Sequence, residues 1–206
     1  MGFRVDPLGV LASGVLVKGE KIFWVIFDTP FGKCLVAEGP HGIVAVTLPH
    51  KDEAKHLERL WEIKATEYER KETPLLQNAY RQILEYFDRK RTRFDLALDL
   101  RGTPFQVKVW KALRKIPYGR TWSYQDVART VGNVRATRAV GMANHRNPVP
   151  IVIPCHRVIG KDGSMTGFGG GVALKKKLLD LERSASRPNP RAEALGSQPV
   201  LRQIAP

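Results

Sequence analysis

Cysteine is scarce here: Cys34 and Cys155 are the two thiols in 206 residues, and they lie far apart in sequence. They would pair only by accident of fold, and their scarcity fits a reducing cytosol. Long apolar runs are also missing. No stretch approaches the roughly 18 apolar residues of a membrane span, so no membrane attachment is expected. Met1 to Val17 lacks a basic start followed by a long apolar stretch, so no signal peptide is expected and the chain reads as cytoplasmic. Acidic side chains are rare in one half only. Residues 1–99 hold 15 basic and 15 acidic residues, whereas residues 100–183 hold 16 and 4, a net of +12 within an overall +14. A neutral half joined to a strongly basic one suits a scaffold beside a surface that meets a polyanion. Charge alone does not separate that reading from a basic surface serving solubility. What remains, 43% hydrophobic and 26% charged, is ordinary globular composition.

The first half predicts an α+β fold that begins strand-rich. Val15–Val17, Ile22–Phe27, Lys33–Val36 and Ile43–Leu48 are short β-branched or aromatic runs, punctuated by Gly19, Pro30, Gly32, Gly39 and Pro40. Lys51–Lys71 carries Leu57, Leu60, Trp61 and Tyr68 at helical spacing in a charged background, which predicts an amphipathic helix. Thr73-Pro74 opens another through Phe87. Phe94–Leu100 reads as a strand or an extended linker. The expected division is therefore residues 1–94, a linker over 95–101, a second domain over 102–183 and a mobile tail over 184–206.

The second domain is mostly helical. Thr103-Pro104-Phe105-Gln106 and Ser123-Tyr124-Gln125-Asp126 are capping boxes, each opening a helix. A third helix, about Arg135 to Asn144, shows a small apolar face of Ala136, Ala139, Val140 and Ala143, with Arg135, Arg138 and Met142 projecting elsewhere. Two short helices around Gly132 predict a helix-turn-helix. The proline-rich run Asn147–Pro154 then delivers the chain to Cys155-His156-Arg157-Val158. A loop with six glycines in the twelve residues Gly160–Gly171 follows, and a last helix packs through Leu174, Leu178 and Leu181.

Taken alone, Cys155-His156 is a buried core cysteine beside a histidine that caps something. In a strand the two side chains would point to opposite faces, so only a local turn or a bridging water could couple them. The context favours chemistry. Arg157 and Arg138 are cations able to favour a thiolate, the flanking segments can wall a pocket, and Glu182 can orient His156.

These residues carry a resemblance. Ile153-Pro154-Cys155-His156-Arg157-Val158 resembles the active-site motif of the O6-alkylguanine-DNA alkyltransferases, also called methylated-DNA–protein-cysteine methyltransferases. The likeness extends through Gly102–Trp110, Ile116–Gly119, Ser123–Gln125, Arg138–Gly141 and Asn147–Pro150, covering about residues 100–183. The N-terminal part is similar in outline only, as a strand-rich domain of ribonuclease-H-like type. The resemblance implies that Cys155 accepts an alkyl group from O6 of guanine in double-stranded DNA, once per molecule, and that the protein is a monomer. His156 would take the thiol proton through a water, Glu182 would support His156, and Asn147 would tie the recognition helix to the active-site segment. Tyr124 would press on a phosphate and Arg138 would fill the space of the flipped nucleotide. Arg135, Ala136, Ala139 and Ala143 would meet the minor groove. The pocket would comprise Tyr124, Met142, Val158, Phe168 and Gly169, with Phe168 where the family usually has Tyr. No metal or organic cofactor is implied.

Three other readings stay in play: a non-catalytic alkyl-damage sensor, which lacks the cysteine; a helix-turn-helix regulator, which leaves Cys-His unexplained; and a cysteine hydrolase, which leaves the +12 unexplained. Cys34, Trp24, Trp61 and Trp110 read as core, and Lys175-Lys176-Lys177 as a solvated helix face. His41, His50 and His56 do not make a zinc spacing with Cys34.

Overall fold

A computed structural model describes residues 19–165 and 167–183. The expected strand Val15–Val17 and the tail 184–206 lie outside the described residues. A four-stranded sheet in the order β3-β2-β1-β4 is built from β1 (Lys21–Thr29), β2 (Gly32–Gly39), β3 (Gly42–Val46) and β4 (Glu67–Arg70). Strands β1, β2 and β3 form an antiparallel meander and β4 adds parallel to β1. Side chains alternate across the sheet. Ile22, Ile26, Leu35, Ala37 and Val44 pack with Leu60 of α1 (Ala54–Trp61) on one face. On the other, Val25, Phe27, Val36, Ile43 and Val46 pack with Ile83, Tyr86 and Phe87 of α2 (Pro74–Phe87).

Lys51–Lys71 is a correction. Its helix stops at Trp61, Lys64 turns into the left-handed region at φ 56°, and Tyr68 lies in β4. The long-range ladder to β1, reinforced by Lys21 contacting Glu67 at 2.8 Å and Glu69 at 2.5 Å, overrides the local helical pattern. Trp61 is a second correction: it is 52% exposed rather than core.

The helical half comprises α3 (Pro104–Leu113), α4 (Tyr124–Thr130), α5 (Thr137–His145) and α6 (Gly171–Arg183). Both capping boxes form, Gln106 N–H donating to Thr103 Oγ1 at 3.3 Å and Asp126 N–H to Ser123 Oγ at 3.1 Å. Helices α4 and α5 pack on each other, and in the segment between them Gly132 takes φ 79°. Short strands β5 (Trp122–Ser123) and β6 (Val158–Ile159) pair in parallel, which brings the start of α4 beside the Cys155 segment.

The two halves share one core. Val25, Ile83 and Tyr86 belong to the same packed cluster as Trp110, Leu113, Ile153, Cys155 and Leu178. The 95–101 segment is tacked along β3: Ile43 N–H donates to Ala97 O and Asp99 N–H to Ile43 O. Val46 N–H also donates to Pro148 O at 3.0 Å, joining the sheet edge to the segment that leads to Cys155.

Candidate active site

Cys155-His156-Arg157 forms a single 3₁₀ turn rather than a strand. Neighbouring side chains need not oppose each other in such a turn. All three residues are buried: Cys155 is 4% exposed and His156 fully enclosed. The run before it is braced by Asn147, whose Nδ2 donates to Ile153 O at 2.8 Å and whose Oδ1 accepts from Val149 N at 3.0 Å. Between them Ile151 is held at φ 75°, a position a β-branched residue adopts only under constraint. Asn144 of α5 donates to Cys155 O at 3.3 Å. Both asparagines thus tie α5 and its exit to the cysteine.

Glu182 is the hub. Its Oε1 accepts from His156 Nε2 at 2.7 Å and Tyr86 Oη at 2.8 Å. Its Oε2 accepts from Arg157 Nε at 2.9 Å and the Gly119 N–H at 2.9 Å, while Arg157 Nη2 reaches Oε1 at 3.0 Å. Burial opposes ionisation of Glu182, but the bonds from His156 and Arg157 outweigh it and pull its pKa down to about 2. A carboxylate only accepts, so Nε2 of His156 carries the proton. Nδ1 is buried and has no hydrogen-bond partner among the described residues. Burial lowers the His156 pKa, Glu182 opposing, which leaves a neutral imidazole with a bare Nδ1.

The Cys155 thiol is pushed up to about 11 by burial, with Asn147 and then Lys175 working in the other direction. Arg157 is therefore corrected as a thiolate-favouring cation. Its guanidinium is consumed by Glu182 and by Ile116 O at 2.7 Å. Arg138 is exposed on α5 and is not among the influences on the thiol. The cation that does bear on it is Lys175, fully buried, whose Nζ donates to Val158 O at 2.6 Å. The solvated-face reading of Lys175 is overturned. The signal was spacing: Lys175, Leu178, Leu179 and Glu182 follow i, i+3, i+4, i+7 and form the buried stripe of α6.

The remaining site residues divide. Tyr124 is half-buried. Burial raises its pKa, Cys155 adds to that, and a Cβ on Gly167 would stand 3.5 Å from its hydroxyl. Val158 is buried beside the thiol segment. Phe168 packs against the core cluster that contains Cys155, and Gly169 is exposed next to Leu48. Met142 is a correction: 55% exposed, it lines a groove with Arg59, Gln106, Trp110 and Arg146 that Cys155 does not line. Arg138 and Ala139 on α5 are exposed, as is Arg135 in the turn before it, and Ala136, the residue that precedes the helix, is half-buried; the helix expected from about Arg135 starts at Thr137. Ala143 is a correction, because its side chain is 2% exposed and sits where Trp110 Nε1 donates to its carbonyl at 2.8 Å. Ala139 also leaves the packed face expected for it and joins Arg138 outside, while Val140 and Ala143 pack. Cys34 is fully buried in β2 and its thiol is raised by burial, as packing requires. Among the described residues no three His, Cys, Asp or Glu side chains gather as a metal site would.

Two family models cover most of the chain. The 6-O-methylguanine DNA methyltransferase ribonuclease-like domain matches residues 22–100, and the DNA-binding domain of the same family matches 104–184. The chain belongs to the 6-O-methylguanine DNA methyltransferase family. Membership carries the enzyme class, methylated-DNA–protein-cysteine methyltransferase. Relatives of that name include the constitutive enzyme of Bacillus subtilis, 44% identical over 78% of this chain and 95% of its own. The Methanosarcina barkeri enzyme is 45% identical over 81% and 100%. Mycobacterium tuberculosis OGT in complex with DNA superposes with a TM-score of 0.66 at 38% identity, covering 80% of this chain and 94% of that one. This methyltransferase shares that α+β fold, and among its described residues no helix is long and apolar enough to cross a membrane.

Proposed function

We propose that the chain repairs alkylated DNA inside the cell by moving an alkyl group from O6 of guanine in duplex DNA onto Cys155, once per molecule. One observation carries the reading: Cys155 directly precedes, in one 3₁₀ turn, a neutral histidine whose Nδ1 is bare because its Nε2 proton is given to Glu182. With its pKa near 11 the thiol does not ionise by itself, so deprotonation must accompany attack. The thiol proton passes through a bridging water to His156 Nδ1. The sulfur attacks the alkyl carbon, an S–C bond forms, and the C–O6 bond breaks with its electron pair staying on guanine. The guanine anion then takes up a proton from water and protonated His156 gives its own back to water, the leaving oxygen being served by backbone N–H groups of the glycine loop, since Phe168 has no hydroxyl. Water does not cleave the thioether, so no second turnover follows, and the chemistry calls for no cofactor.

The alkyl carbon is stacked inside the duplex, so the nucleotide must turn out at a cost of about a few kcal/mol. Arg138 is exposed on α5 and suited to occupy the vacated place, with Arg135, Ala136 and Ala139 against the minor groove. Tyr124, at the start of α4 and electrostatically coupled to Cys155, presses the flipped phosphate. The protein acts as a monomer of two units, about 1–94 and 102–183, joined through 95–101. The test is mass spectrometry after incubation with duplex containing O6-methylguanine. One methyl on Cys155 and repaired guanine in equal amount are expected. Label elsewhere, or more than one repair per chain, sinks the reading.

A further inference from the structure

The N-terminal half sends one polar group into this site, and the transfer reading gives it no work. Tyr86 lies on α2 and is fully buried. Its hydroxyl donates to Glu182 Oε1 at 2.8 Å and stands 3.4 Å from His156 Nε2. Its ring is fixed edge-on against Phe87 at 5.4 Å and Tyr118 at 6.0 Å, so the hydroxyl has little freedom to point elsewhere. A phenol has one proton to give. Committed to Glu182, it leaves Oη with only lone pairs toward the imidazole. Nε2 of His156 then looks onto two acceptors, Oε1 and Oη, and must hold the proton itself.

We propose that Tyr86 is a positioning residue for alkyl transfer: its hydroxyl fixes the Nε2–H tautomer of His156 and draws charge from Glu182, keeping Nδ1 unprotonated and the imidazole neutral. The inference rests on the transfer reading above. The surroundings of His156 leave no other group for the task. Arg157 and Cys155 lie in its own turn, Glu182 and Lys175 come from α6, and Tyr118 packs beyond Tyr86 without a bond to the imidazole. Arg157 already holds both oxygens of Glu182 from one side, and Tyr86 meets Oε1 from α2. The half of the protein that carries no acceptor thiol thereby sets the protonation state of the half that does.

Removing the hydroxyl leaves more negative charge on Glu182 facing Nε2–H, which stabilises protonated His156. Because transfer needs neutral His156, the acid limb of the rate–pH profile moves up. The measurement is the single-turnover rate constant of the full chain against pH, with duplex DNA and with free O6-benzylguanine, alongside duplex affinity and thermal midpoint. Tyr86→Phe is expected to raise the acid limb by about one pH unit, the scale of one charge-assisted hydrogen bond, on both substrates with affinity unchanged. Superimposable profiles, or a lower thermal midpoint without a shifted limb, would overturn the proposal and leave Tyr86 as packing. Should Tyr86→Phe not fold, 3-fluorotyrosine incorporated at position 86 decides. Its stronger donation must move the limb down, and an unmoved limb overturns the inference. Absence of label on Cys155 in the parent chain overturns the transfer reading and this inference together, so the two failures are told apart.

Discussion

The surroundings of Glu182 and the outer face of α5 are both rich in charge, and they treat it in opposite ways. Around Glu182 every charge is desolvated and matched. Arg157, His156, Tyr86 and the Gly119 amide converge on one carboxylate, and Lys175 is spent on Val158 O. Arg138 on α5 and Arg135 in the turn before it are exposed. Charges that are paired inside cannot meet a polyanion, whereas those left in water can do so at little desolvation cost. The comparison therefore assigns chemistry to the buried cluster and recognition to the bare face. Loss of a buried group should change rate and stability, and loss of an exposed one should change encounter.

The sharpest break comes at the nucleophile. Cys155→Ala should abolish alkyl transfer altogether while affinity for duplex DNA survives, measured by label on the protein and by titration. Transfer that persists, or that moves to Cys34, would erase the distinction between the two regions.

Glu182→Gln should come next. It strands the Arg157 guanidinium without a counter-charge, a loss of about 3–5 kcal/mol in unfolding free energy, and it slows transfer by freeing His156. The pH dependence has a definite sign. Glu182 is depressed from the ordinary 4.5 to about 2 in the folded state, so its contribution is whole above the unfolded value and vanishes as pH falls through the folded one. Denaturant titrations should show the parent losing on the order of 3 kcal/mol more than Glu182→Gln between pH 4.5 and 2. Parallel curves would mean the buried cluster does not hold the fold.

Arg138→Ala tests the other region. Transfer from duplex should slow by roughly tenfold even at saturating protein, the effect of losing about 1.4 kcal/mol toward the flipping cost, while free O6-benzylguanine reacts as before. Equal slowing on both substrates would place Arg138 with the chemistry. The smallest effect is expected for Arg135→Ala, which should lower the slope of log affinity against log salt by about one and leave the saturated rate alone. A flat salt titration of the parent would remove the electrostatic half of the comparison.

What was legible in the sequence follows the same division between local and distant causes. Strands β1 to β3 and the two capping boxes are written in nearby residues, turn glycines and a cap three positions from its partner, and they form as expected. Strand β4 was hidden because its partner is β1, 46 residues earlier in register, and its own residues read as helix. In the site, Cys155 and His156 stand in a local motif, whereas the roles of Glu182 and Asn147 came from the resemblance to the family, and the structure brings all four together. Lys175 was obscured by the two lysines after it, although its spacing to Glu182 marked it as inward-facing. Tyr86 could not be read at all, since nothing local ties α2 to a carboxylate 96 residues away. The apolar face of α5 was set one position too wide, because alanine is small enough to suit either side of a helix, and burial alone separates Ala139 from Ala143.

The single packed cluster that runs from Val25 through Tyr86 to Cys155 and Leu178 has a thermodynamic corollary. Two family models divide this chain near residue 100, yet one buried cluster contains residues of both pieces. A calorimeter should record one endotherm with equal van't Hoff and calorimetric enthalpies, as for a single cooperative unit. Amide exchange in β1 and in α6 should proceed through the same global opening. A protease nick within 95–101 should leave the fragments bound to each other and the thiol still enclosed, so damage to either piece is felt as loss of the whole.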